Sequence, residues 1–180
     1  STVVNLHIGS AGASPSTSDD APPDVVGVLF FAYAIHAAVD WLYSMAPVRF
    51  PDLKICLSEG GIGWVAGLID RLDHMLGYHQ MYGTWTSELT PSEVFRRNFW
   101  FCAVDDPSAF VQRERIGVEH ILLESDYPHC DSTWPFTQEV VEREVGWLPN
   151  ADQRRITWEN AADLYRHPVP ASVVDDPETW

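Results

Sequence analysis

Four short runs rich in aliphatic, β-branched and aromatic residues, at 3–8, 53–58, 98–104 and 121–123, are separated by stretches with helical periodicity. That alternation is the mark of βαβ units and predicts an α/β fold, a parallel sheet covered by helices. In such folds the strand holds its last residues rigidly while the following loop varies, so chemistry gathers at the carboxyl ends of strands. The polar residues just past each run are therefore the first candidates for function.

The intervening segments read as follows. From about Val25, Ile35, Ala38, Val39, Leu42 and Met45 recur at helical spacing until Pro47 forbids continuation. Ile62, Val65, Leu68, Ile69, Leu72, Met75 and Leu76 form a second stripe, with Asp70, Arg71 and Asp73 opposite it. Thr90-Pro91-Ser92-Glu93 predicts a capped helix start with Pro in the first turn. Asp105 and Asp106 before Pro107 suit a helix N-terminus. Phe136, Val140, Val141 and Val145 mark another helix, and Ile156, Asn160 and Leu164 the last. Residues 10–24 are long for a βα connection and read as a lid or pocket wall; 78–85 are irregular and aromatic; 168–180 read as an acidic tail after one domain at 1–167.

Eleven basic against 26 acidic side chains give a formal charge of -15, which repels phosphate backbones and anionic lipid and argues against nucleic-acid or membrane partners. The start carries neither the basic nor the apolar region of a signal peptide, and the chain has no apolar run of about 18 residues. Cys56, Cys102 and Cys130 form no CxxC pair, and the first two sit in apolar runs as reduced thiols, which fits the cytoplasm. Ser1 lies next to a strand with no leading turn, a hint that a front part is missing. Eight Trp, eight Phe and six Tyr leave room for an aromatic substrate pocket or a subunit contact.

His7, Glu59 and Asp126 each stand at or just past the end of an apolar run, where parallel neighbours bring them to one edge. Imidazole and carboxylate together suit Zn²⁺ or another divalent cation. Each has a plainer reading: His7 as a core or loop-capping histidine, Glu59 as an acceptor for the turn at Gly60 and Gly61, and Asp126 as turn chemistry before Pro128. His129 suits proton transfer or a structural hydrogen bond. Tyr127, Trp64, Trp85 and Trp134 are candidate pocket walls or core, and Cys130 reads as inert. His36, His74, His79, His120 and His167 read as solvated or capping groups. Neither a GxSxG elbow nor an HExxH helix occurs.

FPDLKICLSEGGIGWV, ILLESDYPHCDSTWP, ITWENAADLYRH and VVNLHIGS together resemble the amidohydrolase-related family of metal-dependent hydrolases and decarboxylases, which includes aminocarboxymuconate-semialdehyde decarboxylase. They resemble its sixth strand, eighth strand, closing helix and fifth strand in turn. The resemblance implies the second half, about four βα units, of a TIM-type (β/α)₈ barrel, with His7 and Asp126 at metal-site positions and Asp126, His129 and Glu59 as the catalytic set. It implies a divalent metal, zinc with manganese as the alternative, a small carboxylated, cyclic or amide substrate, and a homo-oligomer. The family's His-x-His motif is absent from these residues, and Glu59 stands where many members carry His. A full barrel takes about 250 residues. Two rivals are a non-catalytic half-barrel scaffold that dimerises through open sheet edges, and a flavodoxin-like sheet with another strand order.

Overall fold

In a computed structural model of the protein, which describes residues 2–8, 16, 18–78 and 83–171, the four apolar runs are four strands. They are β1 (Val3–His7), β2 (Lys54–Ser58), β3 (Phe99–Ala103) and β4 (Ile121–Leu123). All pairings are parallel and the spatial order is β1-β2-β3-β4. Each strand lies beside its neighbour in sequence, so the sheet winds one way, as successive units of a barrel do. A flavodoxin-like order is thereby ruled out.

The register sends alternate residues to two faces. Leu57, Phe101 and Ile121 stand side by side on one of them. That face meets Ala38 and Leu42 of α2 (Ala32–Tyr43), Val65, Ile69 and Leu72 of α4 (Val65–Tyr78), and Phe95 of α5 (Pro91–Asn98). The Phe95 ring lies 4.7 Å from Phe99 and 5.3 Å from Phe101. Each such buried ring contributes about 1.5–3 kcal/mol, so this cluster anchors the helix layer. The opposite face carries Cys56, Cys102 and Leu122, covered by Ala161 and Leu164 of the closing helix (Asn160–Tyr165).

Several local expectations hold and three do not. Thr90 Oγ1 accepts the Glu93 amide at 3.2 Å while the Thr90 amide donates to Glu93 at 2.7 Å, the reciprocal cap read from the sequence. Asp70, Arg71 and Asp73 are exposed on α4. The helix expected from Val25 is divided: α1 (Pro23–Val28) buries nothing, and α2 buries Ala34, Ala38 and Leu42 rather than Ile35 and Val39. Pro47 does not stop α2, which ends at Tyr43, before Met45 turns left-handed at φ 62. Pro47 instead sits buried in the first turn of α3 (Ala46–Arg49), where a missing N–H costs nothing. Asp106 does not cap α6 (Pro107–Val111) with its side chain, for reasons given below.

The amino ends of the strands are tied by two buried amides. Asn98 Nδ2 donates to Pro51 O at 3.1 Å and Leu53 O at 2.6 Å. Asn160 Nδ2 donates to Val118 O at 2.7 Å and Ile121 O at 2.8 Å, fixing the closing helix to the entry of β4. Expectations for 10–24, 78–85 (with His79) and 168–180 fall wholly or partly outside the described residues. Among the described residues no helix is long and apolar enough to cross a membrane.

Candidate functional site

At the carboxyl ends of the strands four side chains from three segments form one chain of contacts. His7 is the last residue of β1, and its Nε2 lies 2.7 Å from Glu59 Oε2. Glu59 follows the last residue of β2 and is hydrogen-bonded to Asp126. Asp126 Oδ2 lies 2.8 Å from His129 Nδ1. The acids are the inner members, with side chains 23 % and 15 % exposed, against 63 % for His7 and 59 % for His129. The imidazoles face outward and the carboxylates face each other.

The backbone is bent to make this meeting possible. Glu59 at φ 61 and Asp126 at φ 56 are both left-handed non-glycine residues, each costing about 1 kcal/mol or more. Glu124, the first residue past β4, reaches over β3 so that its carboxylate accepts the Glu59 amide. Asp106 Oδ2 accepts the Ile62 amide at 3.2 Å, which is why it does not cap its own helix. Gly61 at φ 59 is required here, because a Cβ would stand 2.9 Å from Asp106 Oδ1. On the β4 side the loop closes on itself: Ser132 Oγ and the Thr133 amide donate to Ser125 O at 2.8 and 3.0 Å, and the His129 amide donates to Asp126 O at 2.8 Å. That closure carries His129 back over Asp126.

Burial collects carboxyl groups at this end and raises their pKa values. For Glu59 desolvation is the larger cause, followed by the hydrogen bond with Asp126, which a protonated carboxyl can donate. Asp106 is raised by desolvation, against which the Ile62 and Val104 amides pull it down. Glu124 is raised by desolvation and lowered by the Glu59 amide and the Cys102 thiol. A cavity of about 300 Å³ opens on the group, lined by Ile8, Phe30, Glu59, Gly61, Val104, Asp105, Asp106, Asp126, His129 and Asp131.

All four residues singled out from the sequence thus meet in space. Glu59 does not bond the turn after it; that part is taken by Asp106. Sequence reading missed Glu124 and Asp106 as supports, although Glu124 is the first polar residue after the β4 run and carried that signal. None of the four aromatic candidates lines the cavity. Trp64 packs edge-on against Phe101 with its indole on Gly60 O, and Trp85 meets Tyr43. Tyr127 and Trp134 meet edge to face in the open, ring centres 5.4 Å apart. His120, read as solvated or capping, is largely buried against the Trp100 ring at 5.0 Å. Cys130, read as inert, lies 3.9 Å from His129 Nε2.

Two imidazoles with two carboxylates are the donor types that a divalent first-row cation takes, and a cation would relieve the crowding of like charges. By donor chemistry the residues fit a metal. Among the described residues the one trio of His, Cys, Asp or Glu donors within 4.8 Å of one another is His129, Cys130 and Asp131, all exposed. His7 and Asp126 are joined instead through Glu59, which stands between them.

A family model described as amidohydrolase matches residues 1–167. No curated protein matches. Among solved structures, 5-carboxyvanillate decarboxylase LigW from Sphingomonas paucimobilis is 27% identical, with a TM-score of 0.64 over 76% of this chain and 41% of that one. An amidohydrolase from Mycobacterium avium subsp. paratuberculosis K-10 is 25% identical, with a TM-score of 0.69 over 94% of this chain and 42% of that one. A dihydroxybenzoic acid decarboxylase from Polaromonas sp. JS666, solved with manganese and the inhibitor 2-nitroresorcinol, is 20% identical, with a TM-score of 0.62 over 81% and 47%. At that identity the last likeness is one of fold. The chain spans less than half the length of each of the three.

Proposed function

The chain belongs to the amidohydrolase family, and from that premise we propose that it contributes to a metal-dependent hydrolase or decarboxylase acting on a small carboxylated substrate. The likeness to 5-carboxyvanillate decarboxylase favours an aromatic carboxylate among such substrates. The observation that carries this reading is the His7–Glu59–Asp126–His129 chain at the ends of three strands.

His7 and Asp126 would hold the metal, zinc or manganese. Such a cation, when bound, lowers the pKa of water and polarises a carbonyl or carboxylate oxygen. Glu59 holds a proton more tightly than an ordinary carboxyl, so it is suited to deliver that proton to the atom a leaving group vacates. Decarboxylation needs such a proton at the carbon that loses CO₂, and hydrolysis needs one at the departing heteroatom. His129 is oriented by Asp126 at Nδ1, which leaves Nε2 to exchange a proton with the cavity. Asp105, Asp106 and Asp131 rim the cavity and would repel a substrate carboxylate, so recognition of an anion depends on the cation.

Metal analysis of the purified chain after dialysis against Zn²⁺ or Mn²⁺ tests the reading. One equivalent in the wild type, lost in Asp126→Ala, is the expected result; no stoichiometric metal, or metal indifferent to that change, overturns it. A second reading rests on the sheet itself: β1 and β4 each pair on one side only among the described residues. A non-catalytic half-barrel that dimerises through those edges predicts a metal-free dimer in sedimentation.

A further inference from the structure

The face of the sheet turned away from the main helix layer holds a pair of thiols that the site above does not use. Cys56 on β2 is registered with Trp100 on β3, and Cys102 lies two residues further along β3, so both point to the same face one diagonal step apart. Their sulfurs stand 3.5 Å from each other. Both are buried beneath Leu122, Ala161 and Leu164, and both are free thiols. Ser58 Oγ is 3.9 Å from the Cys102 sulfur. Two free thiols already in contact are placed for one sulfur to be oxidised and for the other to attack it.

We propose that Cys56 and Cys102 form a two-electron redox site, a dithiol that a hydroperoxide converts to a disulfide across β2 and β3. The step balances as follows. The Cys56 sulfur, favoured as thiolate by the hydrogen bond it accepts from Cys102, attacks one peroxide oxygen; the O–O bond breaks, giving Cys56 sulfenic acid and one water. The Cys102 sulfur attacks the Cys56 sulfur; the S–OH bond breaks, the S–S bond forms, and the leaving hydroxide takes the Cys102 proton as a second water. The two thiols lose two electrons and two protons, and the peroxide is reduced to two waters. Closing the sulfurs from contact to a bond of about 2 Å draws two diagonal positions together, by side-chain rotation and a local approach of β2 and β3. Burial makes the reaction slow compared with that of exposed Cys130, because the oxidant reaches the pair only through local opening.

The folded chain is incubated with excess hydrogen peroxide, its remaining thiols are alkylated, and it is digested with trypsin. The expected result is a disulfide joining peptides 55–71 and 98–113, two mass units below the sum of the two and reversed by a dithiol reductant. Full alkylation of Cys56 and Cys102 after Cys130 has been oxidised overturns the proposal, as does a link that forms only in urea. In Cys102→Ser, Cys56 is expected to stop at sulfenic acid and to take up dimedone, which the wild type does not; equal labelling of both overturns the role given to Cys102. If that variant does not fold, the wild-type peptide map decides alone.

Discussion

The two ends of one four-stranded sheet are built on opposite electrostatic plans. At the amino ends, Asn98 and Asn160 are neutral and buried, and each spends both N–H groups on main-chain carbonyls at ordinary φ/ψ. At the carboxyl ends, Glu59, Glu124, Asp106 and Asp126 crowd together, two of them left-handed, with proton affinities raised at three of them. The first arrangement satisfies buried polar groups and fixes the closing helix. The second stores unfavourable desolvation and strain where a ligand can repay it.

Exchanging the roles of the two ends is the sharpest way to break this contrast. Asp126→Ala is expected to weaken divalent metal binding by about 100-fold or more, while Asn160→Ala leaves it unchanged; isothermal titration with Zn²⁺ or Mn²⁺ reads both. A loss in Asn160→Ala equal to that in Asp126→Ala would mean the ends are not separate.

Stability should show the reverse preference. Asn160→Ala leaves the Val118 and Ile121 carbonyls without their donor and is expected to cost about 2–4 kcal/mol in urea unfolding. Were it near neutral, the amino end would not be the anchor described here.

The pH profile divides the ends again. A raised native pKa means that the folded metal-free chain keeps a proton over a window in which the unfolded chain has released it. Stability from Glu59, Glu124 and Asp106 is therefore fully present below the unfolded carboxyl value of about 4 and is lost as pH rises through their higher native values. Glu59→Gln with Glu124→Gln is expected to flatten that decline, whereas Asn160→Ala lowers the whole curve without changing its shape; unfolding midpoints from pH 4 to 8 check this. The smallest effect belongs to a position remote from both ends: Thr90→Ala removes one half of the α5 cap and is expected to cost about 1 kcal/mol, measured by thermal melting.

The amino-acid order alone was enough for the parallel α/β plan, because a buried parallel strand must be a continuous apolar run and a covering helix must be striped, whatever their neighbours. It also singled out His7, Glu59, Asp126 and His129, since a polar residue past such a run has few other places to go. What it left open is who touches whom. Glu124 bonding the Glu59 amide across β3, Asp106 passing over its own helix for the Ile62 amide, and the contact of Cys56 with Cys102 all join residues more than 40 positions apart. Such contacts are set by strand register and loop closure, and those are settled only when the whole sheet packs.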